Sequence, residues 1–435
     1  MIVSISLILF AILLSKVSFQ SILPPSGELT FLLGLILIVS FLVGKLSLKI
    51  KIPMITGFLL TGIFLGPYIL NIITREGVKS LGLINEIALS IIALSAGGEL
   101  DLKELAKKMG SLSTIILFQV FIAFIGVGFV FLLLFKFIIL PPIVKESDVT
   151  SFSIAFAILM GTIATAKSPS TTIAIIMETG SEGNLTDTVL AITVLKDVVI
   201  IVLFTLSMAL ASEIALGRGG LDLFIFYELF LEIIVAILIG LFIGLLLALY
   251  YKFVNRYNLL FLIALSFLIS AFYFQFHFHF LLSCMIAGAF ATNFFKETRE
   301  SFHSSIKEAS LPIFIIFFTI TGADLNLSIF KKYWIFALLY VLIRALMTFL
   351  GTYTGAVIKK GGKEIKYLSW LGFLGQAGLT IGFLTIIERQ FPSGGGILKD
   401  IALGGIILNQ IFGPIGFKWA LVKAGETKEK ISVSI

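Results

Sequence analysis

Four charged residues stand inside apolar runs of this 435-residue chain: Lys167, Lys196, Asp197 and Arg344. A charged side chain at the centre of an apolar helix costs roughly 2.5–3.5 kcal/mol, so each one calls for a partner or a role. Asp197 can hold a proton or a cation and is the candidate ion- and proton-binding carboxylate. Lys196 precedes it and is a second candidate ion- and proton-binding residue. Because adjacent helical positions differ by about 100°, the two share a cavity only if their side chains bend toward each other. A structural salt bridge is the alternative interpretation of this pair.

The other two basic residues are predicted to compensate charge in the core. Arg344 keeps its proton at physiological pH, so it acts as a fixed counter-charge and not as a proton carrier. We expect it to hold crossing helices together. Lys167 either compensates the exposed carbonyl end of a half-helix or extends into a cavity, and the sequence leaves both possibilities open.

The composition places these charges in a membrane. Hydrophobic residues make up 58% of the chain and charged residues 13%, and the mean hydropathy is +1.11. This leaves too few polar groups to cover a water-facing surface, so a soluble enzyme is excluded. The chain has neither a phosphate-binding loop nor an HExxH motif, and we expect no enzymatic activity, cofactor or metal. The net charge of +7 lies in short gaps between apolar runs and does not indicate a nucleic-acid partner.

A membrane-spanning helix needs about 20 largely apolar residues. The pattern of runs and breaks predicts an all-α polytopic membrane protein with thirteen or fourteen such helices. Their approximate ranges are 2–19, 29–46, 52–71, 82–98, 112–135, 152–178, 186–211, 223–251, 258–275, 279–295, 310–326, 333–358, 367–388 and 397–421.

Two segments of the chain repeat each other. GGELDL at 97–102 is similar to GADLNL at 322–327, and FLLTGIFLG at 58–66 is similar to CMIAGAFAT at 284–292, with almost the same offset. We therefore predict two inverted six-helix repeats, as in secondary transporters, although short apolar words can also coincide by chance. The predicted boundaries are 1–28 for an extra N-terminal helix and loop, 29–211 and 258–421 for the repeats, 212–257 for the connector helix, and 422–435 for a cytoplasmic tail.

The fifth run of each repeat is interrupted. One interruption is ATAKSPSTT at 164–172, where Pro169 removes a backbone donor. The other is LGQAGLT at 374–380, with Gly375, Gln376 and Gly378. Unwound backbone at membrane depth persists only where it lines a polar cavity. Paired interruptions therefore predict a midplane binding site, and a simple proline kink is the alternative.

Lys and Arg residues are more frequent in alternate gaps, beginning with KLSLKIK at 45–51, which places both termini in the cytoplasm. The first run has no basic start and no small-residue cleavage site, so an extra helix is favoured over a signal peptide. We expect an inner-membrane or plasma-membrane location and no soluble nucleotide-binding regulatory domain at either end.

Five motifs, taken in order, resemble the monovalent cation:proton antiporter superfamily, the sodium/hydrogen exchanger transmembrane domain, in its bacterial sodium/proton and potassium/proton antiporter branch. The motifs are IPMITGFLLTGIFLGP (52–67), LSAGGELDLKEL (94–105), ATAKSPSTTIAIIMETG (164–180), VLAITVLKDVVII (189–201) and VLIRALMTFLGTYTGA (341–356).

The resemblance implies two crossed, discontinuous helices and homodimerisation. It also implies that Asp197 binds cation and proton alternately, that Arg344 is the family's basic residue of the second half, and that Ser168 and Thr171 line the site. Lys196 stands where relatives have Asp, Asn or Gln, and Lys167 stands where relatives often have Thr. Both lysines are departures from the family pattern.

The function predicted from these observations is secondary-active exchange of Na⁺ or K⁺ for protons, with the lipid bilayer and a second copy of the chain as partners. Two alternatives follow from Lys196. One is a transport-dead sensor or receptor domain, in which the ammonium permanently occupies the cation's place. The other is a proton-coupled anion carrier, because three basic residues surround one carboxylate.

Overall fold

The computed structural model describes residues 25–140, 148–217, 223–276, 280–376, 378–392 and 394–427. Within these residues the chain is helical and contains no strand. Eight helical segments are long and apolar enough to cross a membrane, and four shorter apolar helices accompany them. The predicted all-α polytopic membrane class is therefore confirmed. The run at 2–19 and the residues after 427 lie outside the described part of the chain.

Sixteen α-helices follow one another in the described residues. They are α1 (Pro25–Lys49), α2 (Met54–Leu65), α3 (Arg75–Ser80), α4 (Gly82–Gly98), α5 (Leu102–Leu134), α6 (Val149–Thr165), α7 (Pro169–Thr179), α8 (Asn184–Leu216), α9 (Leu223–Phe253), α10 (Asn258–Phe276), α11 (Phe280–Phe294), α12 (Lys296–Asp324), α13 (Leu327–Ile358), α14 (Lys363–Leu368), α15 (Gly378–Gln390) and α16 (Gly395–Ala424). A π-helical turn at Phe135–Ile139 extends α5, and a 3₁₀ segment at Ser369–Phe373 follows α14.

Several helix ends differ from the predicted ranges. The run at 52–71 ends as a helix at Leu65, because Gly66 and Pro67 follow and the chain then turns. The helices predicted at 112–135 and 310–326 begin earlier, at Leu102 and Lys296. Their added turns are rich in charged residues, which extend the helices beyond the apolar layer. Hydropathy locates only the apolar part of such a helix.

The packing of four glycines shows how the two repeats are related. On α2, Gly62 lies against the backbone of Thr319 on α12, and Gly322 on α12 lies against the backbone of Leu59 on α2. On α4, Gly97 lies against the backbone of Met285 on α11, and Gly288 on α11 lies against Leu94 on α4.

The second helix of each repeat therefore packs on the third helix of the other. The sequence similarity pairs Gly62 with Gly288 and Gly97 with Gly322, and the observed contacts exchange in the same way. This reciprocity is what two repeats related by a pseudo-two-fold axis require. Small residues allow such close approach of helix backbones in a membrane.

We predict that Gly322→Ala destabilises the protein, because the added Cβ would meet the carbonyl of Leu59 and lie 3.2 Å from the Cα of Gly62. Overpacking of this kind costs about 1–3 kcal/mol. The measurement is the thermal unfolding midpoint of the purified protein in detergent. Gly34→Ala on α1 is the matched control, since a Cβ there meets nothing within 4 Å. Equal midpoints for the two variants would contradict the close-packing interpretation.

Candidate functional site

The two interrupted helices meet at their breaks. Helix α6 ends at Thr165 and α7 begins at Pro169, leaving an extended segment at 166–168. The second break separates the 3₁₀ segment from Gly378. The Ser168 N–H donates to the Gly375 carbonyl over 2.7 Å, and the Thr172 hydroxyl donates to the Gly372 carbonyl over 2.9 Å. The predicted crossing of discontinuous helices is therefore present.

Pro169 occupies a different position from the one predicted. It is the first residue of α7 and not part of the unwound segment. Proline suits this position because the first helical residue has no intrahelical use for an N–H group. Ser168 is the N-cap of α7, and its Oγ accepts from the Thr171 N–H at 3.4 Å. Gly378 likewise begins α15. Pro169 and Gly378 therefore mark helix starts, while Gly375 and Gln376 lie in the unwound segment as predicted.

Arg344 on α13 joins the two breaks. Its guanidinium is buried and donates to carbonyls on both sides of the crossing. On the first break, Nε binds the carbonyl of Ala164 at 2.9 Å and Nη2 binds that of Ala166 at 2.8 Å. On the second break, Nη1 binds the carbonyl of Leu374 at 2.8 Å and Nη2 binds that of Phe373 at 2.9 Å. The arginine thus supplies the donors that the unwound backbone lacks.

Gln376, which lies in the second break, adds further hydrogen bonds across the crossing. Its Nε2 donates to the carbonyls of Ile163 and Ala166 at 2.9 and 3.2 Å. Its Oε1 accepts from Asn409 on α16 at 2.9 Å, and its side chain also meets the Tyr340 hydroxyl. The crossing is therefore held by side chains from α13, α16 and the second break itself.

Asp197 on α8 faces the first break, where its partner is Lys167. The Lys167 Nζ lies 2.9 Å from Asp197 Oδ1. The lysine side chain is 1% exposed and the aspartate side chain 11% exposed. The structure therefore places Lys167, and not the neighbouring Lys196, against this carboxylate.

Lys196 points to another side of α8. Its Nζ donates to Gln119 Oε1 on α5 at 2.7 Å, and Gln119 Nε2 donates to the Thr352 hydroxyl on α13 at 2.8 Å. All three residues are buried. The 100° between successive helical positions separates Lys196 from Asp197. The sequence analysis did not identify Gln119 or Thr352. The signal that could have found Gln119 is a Gln inside the apolar run at 112–135, because a buried amide needs a polar partner.

The hydroxyl residues divide between two environments. Ser168 and Ser170, with their Oγ atoms 2.9 Å apart, line a cavity that also reaches Asp197. The Thr171 hydroxyl turns away, lying 3.1 Å from Ser168 Oγ and 3.3 Å from Gln410 Oε1 on α16. Of the two hydroxyl residues predicted for the site, Ser168 lines the cavity and Thr171 supports it.

The cavity has a volume of about 440 Å³ and lies between α4 and α12 on one side and the first break on the other. Lys167 and Asp197 lie at its inner end, and Lys79, Glu86 and Asp324 line it on the membrane face that carries the 66–81 connection. Lys79 and Asp324 are exposed. The carboxylate at the crossing is thus reachable from that face.

Among the described residues, no group of three or more His, Cys, Asp or Glu side chains could hold a metal ion.

An ion pair and several hydrogen bonds join helices on the opposite membrane face. Glu178 at the end of α7 pairs with Lys418 on α16 at 2.9 Å and accepts from the Ile55 N–H of α2 at 3.4 Å. After α16, the Glu426 carboxylate accepts from the N–H groups of Leu185 and Thr186, at 2.7 and 2.8 Å, at the start of α8. These contacts tie α2, α7, α8 and α16 together on this face.

Comparison with known proteins identifies the family. Residues 35–423 match the family model for the sodium/hydrogen exchanger transmembrane domain. The chain therefore belongs to the sodium/hydrogen exchanger family, and the resemblance seen in its motifs is confirmed.

Three individual matches accompany this result. The chain is 29% identical over 180 residues to the probable Na(+)/H(+) antiporter GerT of Bacillus cereus, a stretch covering 41% of this chain and 43% of GerT. It is similar to the structure of the sodium proton antiporter MjNhaP1 from Methanocaldococcus jannaschii at pH 8, with a TM-score of 0.67, 19% identity, and 91% and 98% of the two chains covered. It is also similar to an electron-microscopy structure of MjNhaP1, with a TM-score of 0.65, 20% identity, and 92% and 98% of the two chains covered. The similarity to these two structures identifies the fold of this chain.

Proposed function

We propose that this protein is a secondary-active antiporter that exchanges Na⁺ or K⁺ for protons at Asp197. The observation that carries the proposal is the position of this carboxylate, buried beside the crossing at the inner end of a cavity open to one membrane face. Membership of the sodium/hydrogen exchanger family supports cation:proton exchange. A buried carboxylate that can bind a monovalent cation is a group that such exchange needs.

The described state is accessible from one side. The cavity lies on the face of the 66–81 connection, and on the other face Glu178 joins α7 to α16 and to the start of α2. The distribution of Lys and Arg assigns the cavity to the extracellular side and both termini to the cytoplasm. Alternating access then requires the contact between Glu178 and the start of α2 to break while the cavity closes. We place the protein in the plasma or inner membrane as a homodimer.

The surroundings of the basic residues argue against anion transport. Lys167 is paired with Asp197, Lys196 donates to Gln119, and Arg344 donates to four backbone carbonyls. Of the three, Lys167 alone lines the cavity, and its charge is balanced there. The cavity therefore offers an entering ion a neutral pair, which suits a cation that competes for the carboxylate.

The test is ion exchange by the purified protein in lipid vesicles that carry an internal pH dye and an imposed proton gradient. We expect external Na⁺ or K⁺ to dissipate the gradient, while choline chloride and protein-free vesicles give no change. Dissipation by chloride, nitrate or sulfate salts of choline would favour the anion carrier. A protein that responds to none of these salts would contradict the proposal and leave the sensor interpretation.

A further inference from the structure

The lysine against Asp197 is positioned by the unwound segment and not by a helix. Lys167 lies in the extended stretch at 166–168, between the end of α6 and the start of α7. Its Nζ donates to Asp197 Oδ1 at 2.9 Å, and both residues line the cavity. The ammonium therefore occupies the position at the carboxylate that an entering cation would take.

The backbone at the break does not need this lysine. The carbonyls of Ala164 and Ala166 accept from Arg344, and the carbonyls of Ile163 and Ala166 accept from Gln376. The exposed carbonyl end of α6 is thus already compensated. Of the two roles considered for Lys167, compensation of the half-helix end is filled by other residues, and the side chain extends to the cavity.

We propose that Lys167 carries the proton that is exchanged for the cation. When a monovalent cation binds Asp197 it displaces the ammonium, and Lys167 then releases one proton into the cavity and remains as a neutral amine. In reverse, a proton binds the amine, and the ammonium displaces the cation. No covalent bond other than the N–H bond forms or breaks. This inference rests on the proposed function and identifies the proton-carrying group within it.

The charge balance of the pair follows directly. With the proton loaded, the site holds one ammonium and one carboxylate; with the cation loaded, it holds a neutral amine, a carboxylate and the cation. Both states have zero net charge. A buried site tolerates neutral states far better than charged ones. Exchange through this pair is therefore one cation for one proton.

Lys167→Arg tests the proposal, because arginine keeps an ion pair with Asp197 but cannot release its proton. In the vesicle assay we expect the variant to lose Na⁺- and K⁺-driven proton movement, and the purified variant to release no proton when Na⁺ is added. Lys399→Arg is the matched control, since Lys399 pairs with Glu388 at 2.6 Å outside the cavity. We expect this control to exchange at the parent rate.

A second variant controls for the possibility that Lys167→Arg loses transport only because the guanidinium is larger than the ammonium. Lys167→Cys, treated with 2-bromoethylammonium, forms a thioether with loss of bromide and regains a side-chain amine that gives up its proton more readily than lysine. We expect exchange to return with its pH profile moved to lower pH. The single native cysteine, Cys284, is buried, and the parent protein treated in the same way is the control.

The outcomes separate the two proposals. Exchange by Lys167→Arg at the parent rate, or restored exchange with an unmoved pH profile, would assign Lys167 a structural role and overturn this inference alone. A parent protein that exchanges neither Na⁺ nor K⁺ for protons would overturn the proposed function. Loss in Lys167→Arg together with a profile moved to lower pH in the restored variant supports both.

Discussion

Asp197→Asn is expected to lower Na⁺- and K⁺-driven proton movement to the level of protein-free vesicles. The amide keeps the size of the side chain but holds no charge for a cation and leaves Lys167, at 2.9 Å, without its counter-charge. A buried ion pair broken from one side typically loses about 3–5 kcal/mol of stability. Protein yield and elution in detergent must therefore be measured beside transport.

The double variant Asp197→Asn with Lys167→Gln removes both charges and keeps the effect on transport separate from stability. We expect it to accumulate like the parent and still to exchange no ions. Asp400→Asn on α16 makes the same chemical change in a residue that does not line the cavity, and it should leave exchange intact. Exchange by the double variant at a rate near that of the parent would remove Asp197 from the mechanism.

Arg344→Ala is expected to prevent accumulation of folded protein. Four backbone carbonyls inside the membrane would lose the hydrogen bonds from Arg344. The Ala166 carbonyl would keep the Gln376 amide as a donor, while those of Ala164, Phe373 and Leu374 would lose the guanidinium that they bind. At about 1–3 kcal/mol for each unsatisfied buried group, the loss approaches the whole stability of a typical folded domain, about 5–15 kcal/mol. The measurement is the fraction of the expressed protein that elutes as a single species after extraction in detergent.

Arg344→Lys separates the contribution of charge from that of geometry. Lysine keeps the positive charge but has an ammonium with three donors in place of a planar group with five, so it supplies fewer hydrogen bonds to the four carbonyls. We expect an intermediate yield. Arg389→Ala removes an exposed arginine at the end of α15 and should not affect the yield. An Arg344→Ala protein with the parent's yield and unfolding midpoint would show that the crossing does not depend on this side chain.

The architecture of the site was largely predictable from the sequence, because its signals are local. Pro169 and the glycines at 375 and 378 interrupt otherwise apolar runs, and both interruptions are helix breaks that meet in space. Arg344 is a charged residue in an apolar helix, and its need for partners follows from its type. Its partners are four backbone carbonyls at the two helix breaks. The sequence does not predict these partners, because the unwound segments have no regular spacing that would fix which carbonyls face the arginine.

The identity of the ion pair could not be predicted in the same way. Helical periodicity separates Lys196 from Asp197, but it assigns no direction to Lys167, which lies in a stretch without periodic structure. Gln119, the partner of Lys196, lies far away in sequence. Pairings between distant helices depend on how those helices pack, and one sequence alone carries no measure of that packing.

The hydrogen bonds of Arg344 at the crossing also have a consequence for biosynthesis. The carbonyls of Ala164 and Ala166 accept from Arg344, which is synthesised 180 and 178 residues later in the chain. At a synthesis rate of about 5–20 residues per second, that delay is roughly 10–35 s. During this time the first break cannot be satisfied by its final partner, so the nascent first repeat must keep it hydrated or shielded by the insertion machinery. The arrival of α13, which carries Arg344, is therefore the earliest step at which these two carbonyls can bind their guanidinium donor in the bilayer.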